Sequence, residues 1–231
     1  MTSRPPNPLI VALDVSELDR AEELARALSG VAGMLKVGLE LFVAEGPESV
    51  RRIRRHGSVF LDLKLHDIPT TVGRAARQAG RLGPDLLTVH ALGGPPMIEA
   101  ALDQAAKGAA DAGFPAPRVV AVTVLSSVGG ESLASPASLA FEAVSAGAAG
   151  VVVSGEDVRT VREVLGDEPI LIVPGVRPTG AASNDHVRVL TPREAVESGA
   201  DYIVVGRPVT ASKDPAAAAR SILSEVGAPA D

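Results

Sequence analysis

Asp62, Lys64 and Asp67 stand within six positions of one another in the run from Phe60 to Thr71, whose apolar residues otherwise read as a buried strand. A carboxylate and an ammonium two positions apart on a strand project from the same face, about 6.6 Å apart along the chain, with Leu61, Leu63 and Leu65 on the opposite face. Pro69 ends the extended run and suits the first turn of a helix, which puts Asp67 in the loop between them. An Asp-x-Lys pair alone reads equally well as a structural ion pair. Asp67, Pro69 and Thr71 beside it point to a site. A second group joins glycine to arginine, in Pro174-Gly175-Val176-Arg177 and in Gly206-Arg207. Glycines let backbone amides approach an anion, and a guanidinium gives two parallel hydrogen bonds to phosphate oxygens.

The elements that must position these residues alternate along the chain. Apolar runs at Leu9–Leu13, Met34–Val37, Val59–Leu65, Asp85–Ala91, Arg118–Leu125, Gly150–Val153, Ile170–Val173 and Tyr202–Val205 read as strands. Helical spacing follows each of them. Ser16 with Asp19 opens a helix that Gly30 closes; others run through Glu48 to His56, Pro69 to Leu82, Met97 to Ala112, from Pro136 behind a Ser135 cap, Val158 to Leu165, Thr191 to Ser198, and onward from Asp214-Pro215. Thr191-Pro-Arg-Glu194 has the spacing of a capping box with proline in first position. Strands apolar on both faces are expected where helices cover a parallel sheet. Eight such units predict a single-domain (β/α)₈ barrel of the α/β class over 1–231, with short flexible termini at about 1–7 and 227–231; an open doubly wound sheet fits the same pattern.

Composition excludes several classes of function. Aromatics are 2% of the chain, Trp is absent and the net charge is −6, which argues against a nucleic-acid partner. With no cysteine there are no disulfides, thiolate nucleophiles or thiolate metal sites. The proline-rich start lacks an apolar core of signal-peptide length, and no apolar run approaches about 18 residues. A cytoplasmic protein without a membrane partner is expected.

Barrel chemistry sits at the C-terminal ends of the strands. Asp14, Lys36, Asp62, Lys64, His90, Ser126, Arg177 and Arg207 all fall there. His90 has no spaced ligand partner and reads as a capping residue or a member of a surface ion pair. Arg51 to Arg55 lies in the last turns of a helix, where cations suit the dipole and solvent, and receives no role. Phosphate sites in barrels commonly use the loops after strands seven and eight, which hold Arg177 and Gly206-Arg207, so a phosphorylated substrate is expected. The polar segment from Pro178 to Val189 has the length of a loop that folds over a ligand.

Over nearly its whole length the chain resembles the orotidine 5′-monophosphate decarboxylases. Their motif Asp-x-Lys-x-x-Asp-Ile-Pro-x-Thr is met by Asp62, Lys64, Asp67, Ile68, Pro69 and Thr71. The resemblance implies decarboxylation of orotidine 5′-monophosphate to uridine 5′-monophosphate without metal or organic cofactor, with Lys64 stabilising and protonating the carbanion at C6. It further implies that Asp14 and Lys36 hold the ribose, that Ser126 lies beside the pyrimidine, and that Arg177, Gly206 and Arg207 surround the phosphate. His186 stands where the family usually has glutamine in the phosphate-covering loop. A homodimer is implied, with Asp67 and Thr71 reaching into the partner's site. The alternatives are a magnesium-dependent aldolase of the hexulose-phosphate synthase type, which resembles the chain less because it carries glutamate at the place of Lys36, and a nucleotide-binding barrel without turnover.

Overall fold

Strand parity decides what the molecule buries. A computed structural model of the chain describes residues 5–123, 135–178 and 190–228. Strands β1 (Leu9–Ala12), β2 (Met34–Gly38), β3 (Val59–Leu65), β4 (Leu86–His90), β5 (Arg118–Val122), β6 (Gly150–Val152), β7 (Ile170–Val173) and β8 (Tyr202–Val205) pair in parallel in chain order, and β8 closes on β1. Even-numbered residues such as Ile10, Met34, Phe60, Leu86, Val120, Val152, Ile172 and Tyr202 pack together in one cluster. Odd-numbered ones such as Leu9, Val11, Leu35, Leu61, Leu87 and Val119 join the helices in another. The first cluster fills the barrel and the second forms the layer between barrel and helices, as an eight-stranded barrel requires. The expected barrel is therefore present, and the open sheet is not.

Around it lie α1 (Leu18–Leu28), α2 (Leu39–Glu45), α3 (Pro47–Ile53), α4 (Pro69–Gly80), α5 (Gly94–Asp111), α6 (Pro136–Ser145), α7 (Val158–Leu165), α8 (Pro192–Glu197), α9 (Arg207–Thr210) and α10 (Pro215–Glu225). The caps expected at Ser135 and at Thr191 with Glu194 are formed, the latter as a complete capping box. The cap expected from Ser16 and Asp19 is not. Glu17 holds the N-cap position of α1 without a side-chain bond, while the Ser16 hydroxyl donates to Glu40 Oε1 at 2.8 Å and the Leu18 amide to Glu45 Oε1 at 3.3 Å. Partners from α2 replace the local ones. That helix was itself not expected: the segment after β2 contains two helices, divided at Gly46, whose φ of +62° suits glycine, and restarted by Pro47.

The arginine run does have a structural part. Arg52 binds Asp19 at 2.9 Å and also Glu22, which takes a further contact from His56 Nε2 at 3.2 Å, so α3 is tied to α1. The Arg52 guanidinium, followed by His56, holds the Glu22 carboxyl down to about 2. Arg54 lies over the Phe114 ring at 4.3 Å. Among the described residues no helix is long and apolar enough to cross a membrane.

Candidate active site

Continuing the inward parity past the apolar plug brings polar side chains to the strands' C-terminal ends. Above Ile10 and Ala12 comes Asp14, above Met34 comes Lys36, above Phe60 come Asp62 and Lys64, and above Leu86 comes Thr88. Asp14, Lys36, Asp62 and Lys64 line a cavity of about 590 Å³ together with Arg177, Gly206 and Arg207. Its apolar floor is made by Ala12, Phe60, Val122, Val152 and Val204.

Charges of opposite sign alternate along one wall. Lys36 Nζ lies 2.9 Å from Asp14 Oδ1 and 3.6 Å from Asp62 Oδ2, and Lys64 Nζ lies 2.7 Å from that same Asp62 oxygen. Asp62 and Lys36 are buried, which is tolerable for charges that are paired and hydrogen-bonded. The other Asp62 oxygen, Oδ1, accepts from the Thr88 hydroxyl at 3.1 Å. Gly38, the last residue of β2, keeps the array close: a Cβ there would stand 2.6 Å from Lys36 Nζ and 2.7 Å from Asp14 Oδ1.

Plain strand alternation does not describe Lys64. Its φ is +50°, the only positive value at a non-glycine position among the described residues, and the β3–β4 register shifts between Leu61, opposite Leu87, and Leu65, opposite Val89. Holding a lysine in this region costs on the order of 1–3 kcal/mol, a strain found where surrounding structure fixes a functional group. The Lys64 amide is satisfied by the Thr88 hydroxyl, which accepts from it at 2.8 Å.

At the end of β4, His90 caps the short 3₁₀ turn Ala91–Gly93, accepting from the Leu92 amide at 3.4 Å, in keeping with its reading as a capping residue. It stacks on His66 with ring centroids 5.0 Å apart. Burial first, then the nearby His66 and Lys64, lower its affinity for a proton.

Asp67, Ile68 and Thr71 do not join the cavity. All three are exposed, Asp67 and Ile68 on the β3–α4 connection and Thr71 in the first turn of α4, and Asp67 Oδ1 accepts from the Ile68 amide at 2.7 Å. Ser126 and His186 lie outside the described residues. Thr88, Glu40 and Thr210 belong to the site or its support but did not emerge from the sequence. No signal in the sequence marks Thr88, an ordinary strand residue at an inward position of β4. No three His, Asp or Glu side chains among the described residues gather as a metal-binding group.

Comparison with known proteins places the chain in one family and fold. The family model described as "Orotidine 5'-phosphate decarboxylase / HUMPS family" matches residues 7–222. The orotidine 5′-phosphate decarboxylase of Moorella thermoacetica is 48% identical over 230 residues, covering 94% of this chain and 91% of that one. That of Anaeromyxobacter sp. strain K is 51% identical over 230 residues, covering 95% and 98%. Among solved structures, orotidine 5′-phosphate decarboxylase from Lactobacillus acidophilus superposes with a TM-score of 0.82 at 36% identity, covering 96% of this chain and 100% of that chain. An uncharacterized conserved protein from Geobacillus kaustophilus gives 0.80 at 35% identity, covering 95% and 100%.

Proposed function

The chain belongs to the orotidine 5′-phosphate decarboxylase / HUMPS family and decarboxylates orotidine 5′-monophosphate to uridine 5′-monophosphate in pyrimidine nucleotide synthesis, and from that premise we propose that Lys64 carries the chemical step. The supporting observation is the order of charges along the cavity wall, in which the Lys64 ammonium ends the series Asp14, Lys36, Asp62, Lys64.

When the bond from C6 to the carboxylate breaks, its electron pair stays in the ring plane, where the π system cannot accept it. A cation beside that carbon lowers the energy of the developing carbanion. Lys64 then transfers a proton to C6 as carbon dioxide leaves, and regains one from solvent. Asp62 holds the two ammonium groups next to the reacting carbon. Asp14 and Lys36 bind the ribose hydroxyls, and Arg177, Arg207 and Gly206 take the phosphate; the roles that the resemblance implies for Ser126 at the pyrimidine and His186 at the phosphate fall outside the described residues. At about 4 Å and an effective dielectric near 20, one charge contributes roughly 4 kcal/mol, while large enzymatic accelerations require up to about 23 kcal/mol. Phosphate and ribose binding must therefore hold the whole array in its reacting arrangement.

Asp67 and Thr71 complete the site of a second copy in a homodimer, and Ile68 contributes to substrate binding. Exposed apolar side chains support this: Leu39 and Val43 on α2, Ile68 before α4 and Leu92 after β4 all follow the adjacent strands β2, β3 and β4. Large exposed apolar side chains following neighbouring strands are what a subunit interface would cover. The reaction takes place in the cytoplasm and needs no metal or organic cofactor.

The decisive experiment follows the ultraviolet absorbance of orotidine monophosphate with the purified protein and its Lys64→Ala variant. Turnover by the first and none by the second, with uridine monophosphate still bound by both, is expected. A variant that keeps most of the turnover removes Lys64 from its role. Activity lost in chelator and restored by magnesium would favour the aldolase reading.

A further inference from the structure

We propose that Thr88 is a positioning residue for the decarboxylation, fixing through one hydroxyl both the backbone that carries Lys64 and the carboxylate that orients its ammonium. The proposal rests on Lys64 being the group that acts on C6. Thr88 is fully buried on β4 and does not line the cavity, so whatever it does is done through its neighbours.

Two features of β3 need what this hydroxyl provides. Between Leu61 and Leu65 the strand covers four steps while β4 covers two, from Leu87 to Val89, so the ordinary backbone ladder is interrupted where Lys64 takes φ +50°. The Lys64 amide, which a regular ladder would pair with a carbonyl, donates instead to Thr88 Oγ1 at 2.8 Å. The hydroxyl's own proton goes to Asp62 Oδ1 at 3.1 Å. Accepting and donating at once is what a hydroxyl can do in this space and a methyl cannot. Fixing Oδ1 sets the plane of the carboxylate and turns Oδ2 toward Lys64 Nζ at 2.7 Å and Lys36 Nζ at 3.6 Å. Thr88 therefore couples the strained backbone to the charge series, and losing the hydroxyl frees Lys64 at both ends.

Thr88→Val keeps the shape and removes the hydroxyl; Thr88→Ser keeps the hydroxyl and removes the methyl. Displacement of a reacting group by about 1 Å can cost on the order of 10²-fold. We expect kcat for orotidine monophosphate to fall by roughly that factor in Thr88→Val, with KM and uridine monophosphate affinity nearly unchanged and Thr88→Ser close to wild type. If Thr88→Val does not fold, Thr88→Ala is read against Thr88→Ser in the same way. A hydroxyl-free variant that loses thermal stability but keeps kcat, or a serine variant as slow as the valine one, overturns the proposal. Lys64→Ala measured alongside keeps the two readings apart, because turnover surviving in it would remove Lys64 from its role, while only the ratio of the Thr88 variants bears on Thr88.

Discussion

Two residues at the rim show how much a single atom decides. Gly38 is required by contact rather than by backbone freedom, since the carbon it lacks would lie 2.6 Å from Lys36 Nζ. In Gly38→Ala the ends of Lys36 and Asp14 must give way to the new carbon, and if this disturbs the charge series we expect kcat/KM to fall about tenfold, equivalent to about 1.4 kcal/mol of transition-state binding. Steady-state kinetics beside a melting curve test this; unchanged kcat/KM would mean that Lys36 and Asp14 make room for the methyl without disturbing the reacting array. His90 bears on stability. Its proton affinity in the folded state lies below the ordinary value of 6.5, so the unfolded chain binds the proton more readily. Stability is therefore complete above pH ~6.5 and is lost as pH falls from there toward the folded-state value. Between about pH 7.5 and about pH 5.5 the melting temperature should drop more in wild type than in His90→Gln; equal slopes would remove the effect from His90. The parts of the site legible in the sequence were those with unusual chemistry for a strand, such as Asp62 and Lys64. Thr88 is an ordinary strand residue, and its importance appears only when the broken β3–β4 register brings it under Lys64.

The elements were legible where local patterns decide them and less so where tertiary partners do. The phrases Gly83-Pro-Asp85 and Gly199-Ala-Asp201 before strands mark the helix-to-strand return, and the structure supplies their physical content. Asp85 Oδ2 accepts from the Val59 amide at the start of β3, and Asp201 Oδ2 from the Leu171 amide in β7, each at 2.8 Å. Each carboxylate thus anchors the preceding strand at the base of the barrel. Asp201 also binds Arg162 at 2.6 Å, whose guanidinium further donates to the carbonyls of Gly166, Pro169 and Gly199. Asp201→Ala leaves the Leu171 amide and part of Arg162 unsatisfied, at a cost of about 1–3 kcal/mol. A denaturant midpoint lowered at constant slope, with kcat unchanged, is expected because this end of the barrel is remote from the cavity. A fall in kcat at full stability would contradict that separation. Ser16 and the arginine run show the limit of local reading: Glu40, Glu45 and Glu22 take over their partners from other helices, and one-dimensional spacing does not contain those contacts.

At the scale of the molecule, one motif is divided between two places. Asp62 and Lys64 face the cavity, whereas Asp67, Ile68 and Thr71, only a few residues on, are exposed outside it. Spacing alone suggested a single cluster; the β3–α4 turn separates it, and in the proposed two-fold dimer the outer part would serve the opposite site. This has a consequence that needs no structure of the complex. If Lys64→Ala and Asp67→Asn are each nearly inactive as homodimers, a mixed dimer has one site with both defects and one with neither, because the Lys64→Ala chain donates a normal Asp67 to its partner's normal Lys64. Unfolding and refolding the two variants together should make about half the dimers mixed, and so restore roughly a quarter of wild-type sites, as isologous symmetry requires. Should the mixture stay as inactive as its components, with mixed dimers confirmed by mass, Asp67 acts within its own chain and the exposed β3–α4 connection must fold back over its own cavity.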